Sequence, residues 1–410
     1  MLKETAVRGI CSLLFAAIVP LSGPSIAASS ENKISVTIGV LNDRSGIYAD
    51  ISGDGSVAAA RMAVEDFKAE QQGLDVRIIS ADHQNKPDVG ASIARKWYDT
   101  EGVDAIVDVP TSSVALAVSE ITREKDRVFL NSGAATSDLT GSHCSPNTIH
   151  WTYDTKALAN GTGRATVKAG GKTWFFLTAD YAFGHALERD TTRVVEEAGG
   201  RVIGSVNTPF PSMDFSSYLL QAQASGAKVI GLANAGGDTI NAVKQASEFA
   251  IMRSGQKLAG LLVFATDVKA LGLQRAQGLL LTSPFYWNLN DATRAWSERF
   301  AERTGGELPT MVHAGVYSST LHYLKAVKAA GTTDAKPVLK NMKMTVANDS
   351  LFGQGRIRAD GRKMHDVHLF EVKKPSESSE KWDFYKLVAT IPAEEAFGAE
   401  PNPACRMDPS

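Results

Sequence analysis

The sequence predicts an α/β protein made of two doubly wound, Rossmann-like lobes between which the chain passes more than once. Strand-like and helix-like segments alternate from Ile34 onward, which is typical of a parallel sheet covered by helices on both faces. A second series of the same kind begins near Thr155. The chain of 410 residues also suits two domains of about 150–200 residues each better than one core.

The first series opens with a β-branched strand at Ile34–Asn42. Segment Ser56–Gln72 follows, and its apolar residues recur at an approximately helical period. The other predicted elements of this series are strands Leu74–Ala81, Asp104–Val109 and Arg127–Asn131 and helices Val89–Thr100 and Ser112–Glu124.

The second series begins with a predicted helix at Thr155–Lys168 and a predicted strand at Thr173–Thr178. It continues with helices Phe183–Ala198, Phe215–Ala224 and Thr239–Glu248 and strands Arg201–Val206, Lys228–Ala233 and Leu258–Phe264. Further predicted elements are strands Gly278–Ser283, Asp366–Val372 and Phe384–Ala389 and helices Ala292–Thr304, Val312–Ala330 and Ala335–Met344. These later elements need places in both lobes, which predicts several crossings rather than one linker.

The N-terminus has the features of a secretory signal peptide. Lys3 and Arg8 accompany an apolar run, Ile10–Leu21, that is shorter than the ~20 residues needed to span a bilayer. Ser25 and Ala27 place small residues where signal peptidase requires them. We predict cleavage after Ala27 or one residue later and export to the periplasm; the alternative is an N-terminal membrane anchor.

Charge and cysteine content narrow the function further. The 43 basic and 45 acidic residues give a formal charge of −2, which offers no global attraction for nucleic acid. Removal of residues 1–27 leaves Cys144 and Cys405 as the remaining cysteines. In an oxidising compartment they are expected to form a disulfide; the alternative is two separate buried thiols.

Common enzyme signatures are missing from the sequence. It contains no GxxxxGK[ST], no GxGxxG after the first strand, no HExxH and no GxSxG. His365 and His368 are spaced like metal ligands, but they lie at a predicted strand start and are expected to be exposed. We therefore expect neither a metal nor a cofactor.

Three loops after predicted strands carry the residues that are best suited to bind a ligand. Ligands of open α/β sheets bind beyond the carboxyl ends of the strands, where helix N-termini present free N–H groups. The loops are Asn42–Tyr48, Pro110–Ser113 and Asn131–Thr136, and hydroxyls with backbone amides there suit an anionic group. Each loop is also an ordinary helix cap or turn.

The run TIGVLNDRSGIYADISGDGSVAAARMAVEDF resembles the opening of the branched-chain amino-acid (leucine/isoleucine/valine) binding protein family of periplasmic binding proteins. PTSS, NSGAAT and a second α/β unit follow in the family's order, over most of residues 34–390. The resemblance implies the type I periplasmic-binding-protein fold, with hinge crossings near 152–155, 283–287 and 356–364. The implied lobes are 34–153 with 284–358 and 154–283 with 359–392, followed by a tail, 393–410, held by the disulfide.

The resemblance also implies the ligand contacts. Hydroxyls of Ser112, with its neighbour Ser113, and of Thr136, together with the backbone of Ala134, are expected to hold a ligand carboxylate. Tyr48 and Phe183 are the expected cleft aromatics, and Tyr286 is either a further aromatic wall or interdomain packing. In the second lobe ANAGGD and FATDVK depart from the family pattern, so Asp238 and Asp267 are candidates both for an ammonium contact and for helix capping.

The implied function is that of a non-enzymatic, monomeric solute-binding protein that delivers a small carboxylate-bearing ligand to an ABC permease. A hydrophobic or branched-chain amino acid is the favoured ligand. The alternatives are an aromatic or other non-amino carboxylate or a small amide and, from a different class, an exported α/β hydrolase or oxidoreductase. No helix-turn-helix or membrane segment is appended, which argues against the repressors and receptors that share this fold.

Overall fold

The computed structural model describes residues 33–251 and 255–407, with the isolated positions 6, 7 and 9. The predicted signal peptide therefore lies outside the described residues except at those three positions. Within the described ranges, no helix combines the length and apolar character that a membrane crossing requires.

The first lobe is built on a parallel sheet in the order β2-β1-β3-β4-β5. Its strands form because β-branched and other apolar side chains alternate or run continuously there, as in Val36, Ile38 and Val40, which are fully buried. The elements are β1 Ile34–Asn42, α1 Gly53–Phe67, β2 Leu74–Asp82, α2 Pro87–Thr100, β3 Ala105–Asp108, α3 Ser112–Glu124, β4 Val128–Asn131 and β5 Thr148–His150.

The second lobe is built on a parallel sheet in the order β7-β6-β8-β9. The predicted helix 155–168 is divided by a wide turn at Ala159–Gly163, where a Cβ on Gly161 would lie 2.1 Å from the Thr282 hydroxyl. The elements are α4 Thr155–Leu158, α5 Arg164–Lys168, β6 Thr173–Ala179, α6 Ala182–Glu197, β7 Arg201–Thr208, α7 Ser216–Ala224, β8 Val229–Ala233, α8 Gly237–Glu248, β9 Lys257–Gly260, α9 Ala265–Leu271 and α10 Leu273–Ala276.

The rest of the chain contributes to both lobes. The long helix Met311–Ala330 packs along α1 of the first lobe, whereas strand Val367–Val372 pairs with strands Leu280–Ser283 and Tyr385–Ile391 in an antiparallel sheet. The elements are β10 Leu280–Ser283, α11 Asp291–Arg303, α12 Met311–Ala330, α13 Ala335–Met344, β11 Ala347–Asp349, β12 Gly353–Ile357, β13 Lys363–Met364, β14 Val367–Val372, β15 Tyr385–Ile391 and α14 Ala393–Phe397. The small antiparallel ladder of β11, β12 and β13 has no counterpart in the sequence prediction.

Two lobes, each with a parallel sheet between helices, confirm the predicted fold class. The chain leaves the first lobe after β5, returns between β10 and α12, and leaves it again between β12 and β14. The exact lobe boundaries and the role of these passages as hinges stay predictions. The predicted disulfide is confirmed, because Cys144 and Cys405 are joined with their Cα atoms 5.5 Å apart.

The expected exposure of the two spaced histidines is wrong for His365. This residue is 2% exposed, because the tail helix α14 covers it and its ring lies 5.5 Å from the ring of Phe397. His368 is partly buried beside Thr390. In the described part of the chain, no group of three or more His, Cys, Asp or Glu side chains has the arrangement of a metal site.

Candidate functional site

An aromatic contact joins the two lobes at the carboxyl ends of their sheets. The hydroxyl oxygen of Tyr48, from the loop after β1, lies 2.5 Å from that of Tyr181, which follows β6. The ring of Tyr181 stacks on Phe210 with 4.0 Å between centroids, and Phe210 lies 5.8 Å from Tyr48. Burial above all, together with the nearby Asp238 carboxyl, raises the pKa of both tyrosines, so their hydroxyls are neutral at ordinary pH.

Beside this contact the lobes leave a small cavity with room for only about 10 Å³. That is about the space of a single water molecule. Any larger molecule that binds here must therefore separate the lobes or rotate the tyrosines. The lining residues come from both lobes and are Tyr48, Ile51, Pro110, Gly133, Ala135, Tyr153, Tyr181, Phe183, Ala235 and Leu262.

The position of Tyr48 is fixed by Asp43, a fully buried carboxylate at the end of β1. Asp43 accepts hydrogen bonds from the backbone nitrogens of Gly46 (2.7 Å) and Tyr48 (2.8 Å) and from the Asn85 amide (2.6 Å). A Cβ on Gly46 would lie 2.7 Å from both the Asn85 and the Asp43 side chains, so this turn requires glycine. The loop thus folds around a carboxylate and presents Tyr48 to the second lobe.

A second buried carboxylate, Asp108, shapes the loop after β3. It has a φ of +81°, and its Oδ2 accepts hydrogen bonds from Ser52 Oγ (2.8 Å) and Asn42 Nδ2 (3.1 Å). Burial raises its pKa to about 6. Its unusual backbone turns the chain toward Pro110 and Gly133 at the cavity.

The structure brings two of the predicted carboxylate-binding residues together. Ser112 is the first residue of α3, and its Oγ accepts a hydrogen bond from the backbone nitrogen of Thr136 at 3.2 Å. The Thr136 hydroxyl donates to Asp138 at 3.1 Å, and the Ala134 nitrogen donates to Asn131 Oδ1 at 3.2 Å. These groups bond to protein partners and do not line the small cavity, so their role as ligand contacts stays a prediction.

The two candidate ammonium partners lie at helix starts of the second lobe. Oδ1 of Asp238 accepts a hydrogen bond from the Ser212 nitrogen at 2.9 Å, whereas Oδ2 is buried with no partner among the described residues. Asp267 Oδ2 accepts from the Phe264 nitrogen at 2.9 Å. Burial raises the pKa of Asp238 to about 6 and that of Asp267 to about 7. Asp267 caps α9, whereas the side chain of Asp238 makes no cap hydrogen bond in α8. Asp238 has a carboxylate oxygen without a partner among the described residues and lies close enough to both tyrosines to raise their pKa.

Of the other two predicted cleft aromatics, Phe183 and Tyr286, only Phe183 lies at the cavity between the lobes. Phe183 lines the cavity, with its ring 5.9 Å from that of Tyr181. Tyr286 does not, because its hydroxyl donates to the Trp382 carbonyl at 2.8 Å and its ring packs 4.7 Å from Tyr385. Ser113 is partly buried and also lies outside the cavity lining.

Tyr153, Tyr181 and Phe210 were missed by the sequence reasoning. Each follows a strand's carboxyl end, at β5, β6 and β7 respectively, so the rule that selected Tyr48 applies to them too. The predicted strand end at Thr178 lies close to Tyr181, and the signal was present in the sequence.

A wider groove of about 660 Å³ lies between residues 49–55, which lead into α1, and helices α9, α11 and α12. Its cations are paired: Arg44 with Asp54, Arg303 with Glu65, and Lys269 of α9 with Glu307 at 2.5 Å. The ion pair of Lys269 and Glu307 joins the two lobes, because Lys269 lies in the second lobe and Glu307 lies between α11 and α12 of the first.

Comparison with known proteins shows which family has this architecture. Residues 35–379 match the family described as periplasmic binding protein. The crystal structure of a periplasmic binding protein from Burkholderia mallei is similar, with a TM-score of 0.88, 51% identity, and coverage of 90% of this chain and 98% of that one. A branched chain amino acid ABC transporter periplasmic ligand-binding protein from Burkholderia xenovorans LB400 has a TM-score of 0.79 and 42% identity, covering 88% and 97%.

Sequence comparison agrees with the structural one. Leu/Ile/Val-binding protein homolog 6 of Brucella melitensis is 24% identical over 380 residues, which span 88% of this chain and 94% of the relative. The family resemblance drawn from the opening loop and its spacing is thereby confirmed. The fold and family are those of solute-binding proteins of ABC transporters rather than of enzymes, and the chain belongs to the periplasmic binding protein family.

Proposed function

We propose that this chain captures a small carboxylate-bearing ligand between its lobes in the periplasm and delivers it to an ABC permease. The observation that carries the proposal is the contact between Tyr48 and Tyr181, which places the carboxyl ends of both sheets against each other. Ligands of α/β sheets bind at those ends. A ligand that contacts both lobes stabilises the closed arrangement, because only that arrangement makes both sets of contacts.

The favoured ligand is a hydrophobic or branched-chain amino acid. The unpaired Oδ2 of buried Asp238 lies near the tyrosine pair and suits an α-ammonium group. An ammonium buried without such a partner would be strongly unfavourable. The names of the relatives from Burkholderia xenovorans and Brucella melitensis point to the same class of ligand.

A carboxylate without an amine is the second candidate. Burial raises the pKa of Asp238 to about 6, so a neutral Asp238 is accessible in mildly acid surroundings and would not need a cation. The aromatic side chains of Tyr48, Tyr153, Tyr181 and Phe183 around the cavity also suit a flat aromatic acid.

The carboxylate of either ligand is assigned to the first lobe. Ser112 Oγ and the Thr136 nitrogen already form a hydrogen bond with each other at 3.2 Å beside the N-terminus of α3. A carboxylate that replaces this bond would gain two donors and the favourable end of the helix dipole. The export signal predicted at residues 1–27 and a monomeric state belong to the same proposal.

Calorimetric titration with leucine, its keto acid and benzoate tests the proposal. Leucine binding with weak or no binding of the keto acid supports the amino-acid class, and the opposite preference supports the second candidate. Carboxamides of these compounds are the matched control for the carboxylate contact. If no compound binds and none raises the melting temperature, the assignment of a small carboxylate ligand is contradicted.

A further inference from the structure

The segment after β15 connects the two lobes on its own. Its helix α14 is attached to the second lobe, where Asn160 Nδ2 donates to the Ala396 carbonyl at 2.9 Å and the Ala393 nitrogen donates to Asp366 at 3.0 Å. Phe397 at the end of this helix is 2% exposed. The chain then continues to Cys405, which is bonded to Cys144 in the first lobe.

Between these attachments, the segment is held by the third passage of the chain between the lobes. The Arg358 guanidinium donates to the Gly398 carbonyl at 2.5 Å and to the Phe397 carbonyl at 3.3 Å. Asp360 pairs with Arg358 at 2.8 Å and accepts a hydrogen bond from the Asn402 nitrogen at 2.9 Å. The side chains of Arg358 and Asp360 are 3% and 0% exposed, so these bonds are shielded from water.

Arg362 links the same segment to the first passage. Its guanidinium is completely buried and donates to the carbonyls of Trp151 at 2.6 Å and Tyr153 at 3.0 Å. It also lies 4.3 Å from the ring centroid of Phe397. One side chain therefore contacts the first passage, the third passage and the C-terminal segment at once.

We propose that residues 393–405 form a strap across the hinge, secured by the disulfide, that restrains how far the lobes move apart. The proposal rests on the hinge role of the passages, which is part of the proposed function. From Phe397 to Cys405 the chain advances eight residues, which extend to at most about 3.3–3.6 Å each. The bond between Asn402 and Asp360 divides this length, so with the disulfide closed the chain sets an upper limit on the separation of its two attachment points.

Loss of the disulfide should release the strap while its noncovalent contacts remain. The test uses the double variant Cys144→Ser/Cys405→Ser without any ligand, so its outcome is independent of ligand identity. The control is Leu219→Ala or Leu219→Val, whichever matches the melting temperature of the double variant. Leu219 is a fully buried residue of α7 in the core of the second lobe.

Amide hydrogen exchange is compared between the two proteins of equal stability. We expect the hinge amides of His150, Arg362 and Asn402 to exchange at least about tenfold faster in the double variant than in the control. Amides inside both sheets, such as those of Val40 and Leu177, should exchange equally fast in the two proteins. Small-angle scattering should also give a larger radius of gyration for the double variant.

The hinge amides could instead exchange equally fast in both proteins, with equal radii of gyration. That result would show that the disulfide acts only through global stability, and it would contradict the proposed strap. If the double variant does not fold, wild type reduced with dithiothreitol replaces it. In that reaction the disulfide gains two electrons and two protons to give two thiols, while the reagent closes to its cyclic disulfide. The same comparison of hinge and sheet amides then decides the proposal.

Discussion

The hydroxyls of Tyr48 and Tyr181 meet across the interface between the lobes at 2.5 Å, although the two residues are 133 positions apart in the chain. Tyr48 is held from one side by Asp43 and Tyr181 from the other by its stacking on Phe210. Beside this contact the cleft has room for only about 10 Å³. A ligand must therefore exchange this contact for its own.

Removing one hydroxyl of the pair should weaken closure in the ligand-free protein. Tyr181→Phe deletes a bond between neutral groups, which is worth about 0.5–1.5 kcal/mol, so the lobes should separate more often. Small-angle scattering should show a larger radius of gyration with little change in the free energy of unfolding. Tyr218→Phe in α7, partly buried in the second lobe, is the control. If both variants scatter like wild type, the tyrosine contact does not hold the lobes together.

Ser112→Ala tests the proposed carboxylate site. The loss of a hydrogen bond to a charged group should weaken ligand binding by about 1.5–3 kcal/mol in calorimetry. Ser119→Ala, about two turns further along α3, removes a buried hydroxyl that bonds to Thr148 and should leave the affinity unchanged. If the Ser112 variant unfolds more easily but binds the ligand as tightly as wild type, the hydroxyl does not contact the ligand. Its role is then limited to the hydrogen bond that it accepts from the Thr136 nitrogen.

The sequence predicted the succession of strands and helices better than the side-chain contacts in the cleft. Ser112 and Thr136 are expected from the sequence to contact the same carboxylate, and in the structure the Thr136 nitrogen lies 3.2 Å from Ser112 Oγ because the two residues follow the adjacent parallel strands β3 and β4. Tyr181 was missed although it obeys the same rule. His365 was expected at the surface because a single sequence does not show that α14 folds back over it.

Short polar strands were also beyond the sequence reasoning. Gly353–Ile357 reads GQGRI, which carries neither an alternating nor a continuous apolar pattern. Its pairing depends on β11 and β13, so tertiary contacts rather than local propensity make it a strand. Tyr286 follows a strand as Tyr48 does, but its hydroxyl is hydrogen-bonded to the backbone of Trp382 and Phe384, in the connection between β14 and β15.

Lys363 should make stability depend on pH. Its amino group is buried without a hydrogen-bond partner among the described residues, 4.8 Å and 4.4 Å from the ring centroids of Trp151 and Phe352. Burial lowers its pKa from 10.5 to about 8, and Arg362 acts in the same direction while Asp349 opposes it. The folded protein thus binds this proton less tightly than the unfolded chain does.

Burial of charged Lys363 lowers the free energy of unfolding. This penalty is fully present below pH 8, where Lys363 is protonated in both states, and it disappears as the pH rises through 10.5, where the unfolded chain loses the proton too. Lys363→Met should therefore stabilise the protein at pH 7, by on the order of 3 kcal/mol before the loss of the ring contacts is counted. In denaturant unfolding this advantage should shrink between pH 8 and pH 10.5, while the exposed control Lys340→Met shows no such trend. A destabilised Lys363 variant at pH 7 would mean that the contacts with the two rings outweigh burial.

Asp238→Asn tests the assignment of the ammonium partner. Removal of one member of a buried charge pair should weaken leucine binding by about 2–5 kcal/mol and spare the keto acid. Because the pKa of Asp238 is about 6, wild-type affinity for leucine should also fall as the pH drops below 6. Asp267→Asn is the matched control, since this buried aspartate lies at a helix start of the same lobe and its carboxylate accepts a hydrogen bond from the Phe264 nitrogen. Tight leucine binding that survives Asp238→Asn would remove Asp238 from the site.

Small-angle scattering of the wild-type chain, with and without the compound that binds most tightly in the calorimetric panel, tests the central claim most directly. On this account that compound is leucine. Without it the lobes exchange between open and closed arrangements, because the bond between the neutral hydroxyls of Tyr48 and Tyr181 is worth only about 0.5–1.5 kcal/mol. With it, contacts to both lobes hold the closed arrangement, in which the two tyrosines lie on facing sides of the ligand. The radius of gyration should decrease at saturation. A scattering curve that stays unchanged while calorimetry reports full occupancy would contradict ligand capture by closure of the lobes.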